Sequence, residues 1–161
     1  DTLVTIKIDM LLAERFGMYY TDENGEKKLP YIIHRTSLGC YERTLAYLIE
    51  TYAGALPTWM APEQVRFLPV TDRAVDYCKD QAANLTAQGY RVTVDTRSEK
   101  IGKKIRDAQM EKIPYMLVVG DRDIEAGTVS PRHRADGDLG AMTLDAFTAV
   151  LKDVVDNKLK K

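Results

Sequence analysis

Beyond residue 64, short apolar runs alternate with segments whose apolar residues recur every three or four positions. Such runs predict strands, and the helical spacing predicts amphipathic helices between them. The strands are predicted at 65–70, 91–95, 115–119 and 128–134. The helices are predicted to begin at Thr71, at Thr96 through a capping box with Glu99, and at Thr143. This alternation predicts an α/β domain with a largely parallel sheet, and the unbroken apolar run at 115–119 is typical of a strand covered on both faces.

The first 54 residues show a different pattern. Strands are predicted at 3–10, near 18–20 and at 31–33, and a helix at 40–53. The apolar run at 31–33 is expected to be buried and to pair with the strand near 18–20, and Asn24-Gly25 gives a turn signal between them. Gly54 is a suitable residue to end the helix.

A cluster of helix-breaking and anchoring residues separates these two regions. Pro57, Trp59 and Pro62 lie close together within residues 55–64. Proline disfavours helix and restricts the residue before it. The sequence therefore predicts two domains, 1–56 and 57–161.

Composition limits the function classes further. Of the 161 residues, 45% are hydrophobic and 29% charged, which is typical of a soluble globular protein. The net charge is −1, so any nucleic-acid binding must use a local basic patch. Cys40 and Cys78 are isolated and suit a reducing compartment, and we expect a cytoplasmic location. The chain begins at Asp1, and we expect it to be a C-terminal piece of a longer protein.

The segment from His34 to Arg43 is the most informative part of the chain. It joins the predicted strand at 31–33 to the predicted helix at 40–53. Gly39 allows a ligand to approach the backbone there, and Arg43 offers five donors to a phosphate or carboxylate. This pattern resembles motif 3 of the class II aminoacyl-tRNA synthetases, the glycine-to-arginine element that holds ATP.

The resemblance extends along most of the chain and is closest to the threonyl-tRNA synthetases. The residues that carry it include His34-Arg35, Gly39, Glu42-Arg43, Pro57-Thr58-Trp59, Asp95, Glu99-Lys100-Ile101-Gly102, Lys104-Ile105-Arg106, Ile113-Pro114-Tyr115, Gly120-Asp121, Arg132 and Asp138-Leu139-Gly140. The resemblance implies a class IIa anticodon-binding domain, a mixed, largely parallel five-stranded sheet with three helices. It also implies that a partial antiparallel-sheet catalytic region precedes this domain.

In the first region, the resemblance implies roles in amino-acid activation. Arg43 and Gly39 would bind ATP with its Mg²⁺, and Arg43 would be catalytic because it offsets charge during adenylate formation. His34 would be one of three protein ligands of a zinc ion, of which the other two, a cysteine and a histidine, lie upstream in the family. Lys7 and Cys40 would lie in the amino-acid pocket, where the family usually has glutamine and serine.

In the second region, the resemblance implies recognition of the anticodon. Asp123 matches an acidic residue that reads a base, and Arg132 matches an arginine that stacks on one. Arg97 and Lys100 belong to a basic stretch suited to RNA phosphates. Taken as isolated residues, all four are ordinary surface charges.

The function implied is that of a threonine–tRNA ligase, with threonine, ATP and tRNA(Thr) as partners and a homodimeric parent protein. We expect the isolated chain to be catalytically inactive. Two alternatives stay open: a non-catalytic RNA-binding adaptor, which the lysine at position 7 motivates, and another class IIa synthetase such as the prolyl or glycyl enzyme. The sequence has neither a P-loop nor a Rossmann fingerprint.

Overall fold

The computed structural model describes residues 5–36 and 40–159. The chain divides into two compact units, unit 1 at residues 1–50 and unit 2 at residues 51–161. The boundary predicted at 56/57 lies inside unit 2, and the domain division by function stays a prediction. Among the helices of the two described ranges, none combines the length and the apolar content that crossing a membrane would need.

Unit 1 consists of short strands and two helices. Its elements are β1 (Ile6–Asp9), α1 (Leu12–Arg15), β2 (Tyr20–Thr21), β3 (Lys27–Lys28), β4 (Ile32–Arg35) and α2 (Tyr41–Thr51). The predicted pairing of the 31–33 strand with residues near 18–20 is wrong, because β4 pairs antiparallel with β1 and β2 pairs with β3. Asp22 explains the difference. Its Oδ1 accepts hydrogen bonds from the Asn24 and Glu26 amides at 2.9 Å, which closes a tight hairpin before β4 begins.

The apolar strand residues of unit 1 are exposed. Tyr31 is 72% exposed and Ile33 66% exposed, so the expectation that this strand is buried is wrong. Of the residues described in unit 1, only Ala13 is buried. A two-stranded sheet excludes little water unless another layer covers it, and the described part of this unit supplies no such layer.

Unit 2 is an α/β domain with a mixed sheet, as predicted. Its elements are β5 (Val65–Pro69), α3 (Arg73–Ala87), β6 (Val92–Val94), α4 (Ile101–Met110), β7 (Tyr115–Val119), α5 (Asp121–Ala126), β8 (Thr128–His133), β9 (Gly137–Asp138), β10 (Met142–Thr143) and α6 (Leu144–Asp156). The strand order is β10-β8-β7-β5-β6, and β9 pairs with β8. The pairs β5–β6 and β5–β7 are parallel, whereas β8 is antiparallel to its neighbours. The short strands β9 and β10 bring the sheet to six strands, and α5 is a helix beyond the three expected.

Helices cover the sheet of unit 2 on both faces. On one face, Phe67 and Leu117 pack in a cluster with residues of α3 and α6, including Phe147, and all three are fully buried. On the other face, Leu68 and Met116 pack with Ala108 of α4 and are also fully buried. Because both faces are covered, the central strands carry apolar residues at nearly every position.

One helix start differs from the prediction. The Thr96–Glu99 capping box does not form, and α4 begins after Lys100, which is extended. Instead, Asp95 Oδ1 accepts from the Arg97 amide at 3.1 Å, and the Glu99 carboxylate pairs with Lys103 at 2.5 Å. The start of α6 is confirmed, since Thr143 Oγ1 accepts from the Ala146 amide at 3.2 Å.

Candidate nucleic-acid interface

A polar cleft lies at the carboxyl ends of β5 and β6. The connections that leave these two strands run in opposite senses: β5 continues through α3 to β6, whereas β6 continues through α4 to β7 on the other side of β5. A ligand crevice is expected at such a switch point in an α/β sheet. The cleft has a volume of about 480 Å³ and is lined by residues 69–72, Val75, residues 96–100 and Lys104.

Lys104 is the buried cation of this cleft. It is only 4% exposed, and its Nζ donates to the Pro69 carbonyl at 3.0 Å and to the Asp95 carbonyl at 3.1 Å. These carbonyls stand at the ends of β5 and β6, so Lys104 holds the two strand ends together. An ammonium has three N–H groups, and with two of them engaged within the described chain one is left for a ligand in the cleft.

Arg97 lies in the same cleft between two carboxylates. Its Nε and Nη2 donate to Asp95 at 2.9 and 2.7 Å, and its Nη1 donates to Asp107 at 3.0 Å. The Arg97 side chain is nevertheless 49% exposed. Its edges are therefore occupied, and stacking of the guanidinium plane on a base is the contact it can best offer. The guanidinium also lowers the pKa of Asp95 by hydrogen bonding to its carboxylate.

Lys100 is exposed beside Arg97. It is the last extended residue before α4, and no side chain caps this helix start. The amides of the first helical turn carry partial positive charge, so the helix start and the Lys100 ammonium both favour an anion in the cleft. The structure therefore brings together Arg97 and Lys100, the two residues of the basic stretch that were expected to contact RNA phosphates.

A second group of polar residues, the sheet-face cluster, consists of Asp123, Ser130 and Arg132. Asp123 Oδ2 accepts from the Gly120 amide at 2.8 Å and caps α5. Its Oδ1 accepts from the Ser130 hydroxyl at 3.0 Å. The carboxylate thus ties α5 to β8, and a base would have to use its remaining lone pairs.

Arg132 lies on the same face of β8 as Ser130, two residues further along. Its Nη1 donates to Asp138 at 3.2 Å, and its side chain is 31% exposed. Its Nε is buried and has no acceptor among residues 5–36 and 40–159. His133 is buried against Tyr115 on the opposite face, with 5.0 Å between the ring centroids.

The cleft and the sheet-face cluster are joined through the start of α5. Thr71, which lines the cleft, donates from its hydroxyl to Asp121 at 3.0 Å, and Asp121 is the first residue of α5. Asp123 follows in the same turn. The cleft is therefore contiguous with the Asp123 end of the sheet-face cluster, whereas Arg132, opposite Met116 in the β7–β8 register, lies further along the sheet toward its amino-terminal edge.

The predicted site residues of unit 1 form a separate set. Lys7 lies opposite His34 in the β1–β4 register, and the His34 Nε2 is 3.9 Å from the Asp9 carboxylate. Arg43 is exposed in the first turn of α2, and the Cys40 thiol donates to the Glu42 carboxylate at 2.8 Å. The prediction for Gly39 lies outside the described residues.

Unit 1 does not assemble a metal centre from its described residues. No group of three His, Cys, Asp or Glu side chains within residues 5–36 and 40–159 could hold an ion. Since protein zinc sites use three or four protein ligands, His34 by itself does not fit a zinc ion.

Sequence reasoning did not single out Lys104 or predict α5, although both left a signal. Lys104 falls inside the stripe formed by Ile101, Ile105 and Ala108, where a solvated lysine is not expected. For α5, Gly120 is followed three residues later by Asp123, which is the spacing of a capping interaction. Gly127 ends the helix at φ 65°, a conformation that glycine adopts without strain.

Comparison with known proteins identifies the family of the second unit. Residues 64–154 match the family model described as the anticodon binding domain. The chain belongs to this family. The match covers the cleft and the sheet-face cluster, and all of it lies within unit 2.

Relatives of known name agree with the threonyl resemblance. The chain is 58% identical over 147 residues to a threonine–tRNA ligase of Clostridium perfringens, covering 91% of this chain and 23% of the relative. It is 54% identical over 158 residues to a threonine–tRNA ligase of Clostridium botulinum, covering 98% of this chain and 25% of the relative. The chain thus spans about a quarter of the length of these curated relatives.

A solved structure has the same fold. The crystal structure of the RNA binding domain of threonyl-tRNA synthetase from Cryptosporidium parvum superposes with a TM-score of 0.76 at 33% identity. The alignment covers 93% of this chain and 38% of that one. The anticodon-binding fold of unit 2 is therefore supported by sequence and by structure.

Proposed function

We propose that unit 2 binds the anticodon loop of a tRNA, and that the longer protein containing it ligates threonine to tRNA(Thr). The observation that carries this proposal is the family match over residues 64–154, a range that contains both the polar cleft and the sheet-face cluster. The names of the ligase relatives support the choice of threonine.

The two groups of side chains offer different contacts to RNA. Arg97 can stack a base, while Lys100 and the free N–H of Lys104 can bind a phosphate or a base carbonyl. Asp123 can accept from a base amino or imino group, and the buried Nε of Arg132 has unused capacity for donation. Together they suit an unstacked, single-stranded loop better than a duplex, because base edges are within reach only in the loop.

In the longer protein, Arg43 would bind the ATP phosphates beside Mg²⁺, with Gly39 allowing the close approach. Exposure of Arg43 in the first helical turn of α2 supports this assignment. Lys7 and Cys40 would line the amino-acid pocket. Zinc would need ligands besides His34 from other parts of the longer protein, and a homodimeric parent is part of the same proposal.

Binding to a stem-loop tests the proposal directly. The chain is titrated with a threonine-anticodon stem-loop and with a matched loop whose central bases are changed, at two salt concentrations. Preference for the threonine loop at both concentrations is expected. Equal binding to the two loops, lost steeply as salt rises, would show that only charge acts and would overturn base reading.

The adaptor remains the second candidate because Lys7 is observed opposite His34, where it places a cation next to the proposed amino-acid pocket. Comparing threonine-dependent ATP–pyrophosphate exchange by the longer protein with that of its Lys7→Gln variant separates the two. Exchange by the protein with Lys7 supports the ligase. Exchange that appears only in the glutamine variant supports the adaptor.

A further inference from the structure

Residues 53–61 form a strap that lies along the amino-terminal edge of the unit 2 sheet, away from the cleft. Six of its backbone carbonyls accept hydrogen bonds from side chains of the domain body. The donor residues stand at the starts of β5, β6 and β7 and after the antiparallel end of β8. They are Gln64, Arg91, Lys112 and Arg134.

Arg134 makes the most contacts with this strap. Its Nη2 donates to the Ala55 carbonyl at 2.9 Å and to the Leu56 carbonyl at 2.7 Å. Its Nη1 donates to the Lys112 carbonyl at 2.8 Å, just before β7. One guanidinium therefore bridges the strap and the sheet edge, and the rigid fork of arginine suits this arrangement.

Arg91 and Gln64 hold the second half of the strap. Arg91 donates to the Ala61 and Trp59 carbonyls at 2.8 and 2.9 Å. Gln64 is 1% exposed, and its amide donates to the Thr58 carbonyl at 3.0 Å while its oxygen accepts from the Arg91 backbone amide at 3.0 Å. The strap is thus fastened at both ends.

The charge of Arg134 is not used in an ion pair. Within the described chain no carboxylate pairs with it, and the nearby Glu63 and Glu111 pair with Arg66 instead. Partial burial lowers the pKa of Arg134, so the guanidinium loses hydration without gaining an opposite charge. The cost of partly burying this unpaired charge is offset by its hydrogen bonds to three backbone carbonyls, whose positions it fixes.

We propose that Arg134 is a positioning residue which, with Arg91, fixes the strap to the sheet edge and makes it a rigid part of the anticodon-binding unit. Arg134 directly follows β8, the strand that carries Arg132, but its donors contact the strap and the Lys112 carbonyl. Because the strap lies at the sheet edge away from the cleft, loosening it should not weaken the binding of an anticodon loop.

Hydrogen exchange measures the strap without relying on function. The amides of Met60 and Ala61 both donate to the Pro57 carbonyl at 2.9 Å. These two hydrogen bonds form only while the strap keeps its turn, so they protect the amides from exchange only in that state. In Arg134→Met and in Arg91→Met, these amides should exchange about tenfold faster, as expected when a charge-assisted hydrogen bond is lost. Amides of β7 should keep their wild-type rates.

Two further variants separate geometry from charge and from general effects. Arg134→Lys keeps the charge but not the fork, so it should also loosen the strap. Lys152→Met removes an exposed cation whose recorded partner is Asp156 on the same helix, and it should leave Met60 and Ala61 unchanged. If Arg134→Met does not fold, Arg134→Lys and Arg91→Met decide the matter.

Unchanged exchange at Met60 and Ala61 in all folded Arg134 and Arg91 variants overturns the proposal. Stem-loop binding, measured on the same samples, keeps the two proposals apart. A strap that loosens in a chain that binds no RNA leaves the positioning role intact and overturns the proposed function. A strap that loosens together with an equal loss of RNA affinity overturns the assignment of Arg134 to the strap alone.

Discussion

The strands β4 and β7 have similar sequences and opposite surroundings. A tyrosine begins each apolar run: Tyr31 directly precedes Ile32 and Ile33 of β4, and Tyr115 is the first residue of β7, which ends at Val119. In β7 these residues are buried because α4 lies on one face and α3 and α6 pack on the other. In β4 most of them are exposed. An apolar run thus predicts a strand well, but burial depends on which layers lie within reach.

The largest expected difference between the two units is in the reactivity of their cysteines. Cys40 of unit 1 is exposed, whereas Cys78 of α3 is fully buried, and burial raises the pKa of its thiol to about 12. Iodoacetamide at pH 8 should modify Cys40 at least about a thousandfold faster, since a buried thiol reacts only when the domain opens and domains resist opening by about 5–15 kcal/mol.

Mass spectrometry of timed samples measures both modification rates. A Cys40→Ser variant serves as control, and its remaining slow reaction should match that of Cys78 in the wild type. Comparable rates for the two thiols in native buffer would show that unit 2 lacks the closed core described above.

The next largest difference is expected in the free energy of unfolding when a buried and an exposed side chain are truncated. Phe67→Ala removes a fully buried ring from unit 2 and should lower its free energy of unfolding by about 3–5 kcal/mol. Ile33→Ala shortens an exposed side chain and should change stability by no more than about 0.5 kcal/mol. Urea unfolding followed by fluorescence of Trp59, the single tryptophan of the chain, measures unit 2 directly. Equal effects of the two substitutions would contradict the contrast between β4 and β7.

The sequence predicted the elements of unit 2 better than those of unit 1, and the reason is local. In unit 2 the periodicity agrees with tertiary packing, so the four central strands and the starts at Thr71 and Thr143 were found to within a few residues. In unit 1 the Asp22 turn decided the pairing, and a side chain that accepts two backbone amides leaves no periodic signal.

The candidate site was predictable only as a set of residue types. Asp123 and Arg132 came from family resemblance and Arg97 and Lys100 from a basic stretch of sequence, and the structure places Arg97 and Lys100 in one cleft and Asp123 and Arg132 in the sheet-face cluster. The sequence does not show which of their donors and acceptors are already engaged in hydrogen bonds within the protein. Asp123 caps a helix and Arg97 is held by two carboxylates, and both facts depend on contacts between separate elements.

Lys104 should be a larger determinant of RNA affinity than its exposed neighbours. Lys104→Met removes the buried ammonium from the cleft and should weaken stem-loop binding about ten- to a hundredfold, the range for losing a charged hydrogen bond. Lys103→Met is the matched control, because Lys103 is exposed one residue away and pairs with Glu99. It should change affinity by no more than about twofold.

Fluorescence anisotropy at constant salt measures both lysine variants, and circular dichroism confirms that they fold. Equal losses for Lys103→Met and Lys104→Met would mean that the cleft has no special part in binding and that RNA responds only to the total charge.

The smallest expected effect is a dependence of stability on pH, and it concerns Asp95. Its pKa in the folded protein lies below the usual range of an aspartate, chiefly because Arg97 donates to its carboxylate. A group with a lowered folded pKa stabilises the fold above its unfolded pKa, and that contribution is lost as pH falls through the folded value. Arg97→Met should therefore be less stable than wild type at pH 7, and the difference should shrink below about pH 4.

Urea unfolding of both proteins at pH 7 and pH 3 checks this sign. Asp107→Asn provides the control, since it removes the second carboxylate of Arg97 but leaves the Asp95 pair in place. Asp107→Asn should keep most of the loss of stability between pH 7 and pH 3 that wild type shows through Asp95, whereas Arg97→Met should not. A gap between wild type and Arg97→Met that is the same at both pH values would show that Arg97 stabilises the cleft by packing along its stem rather than through the charge of Asp95.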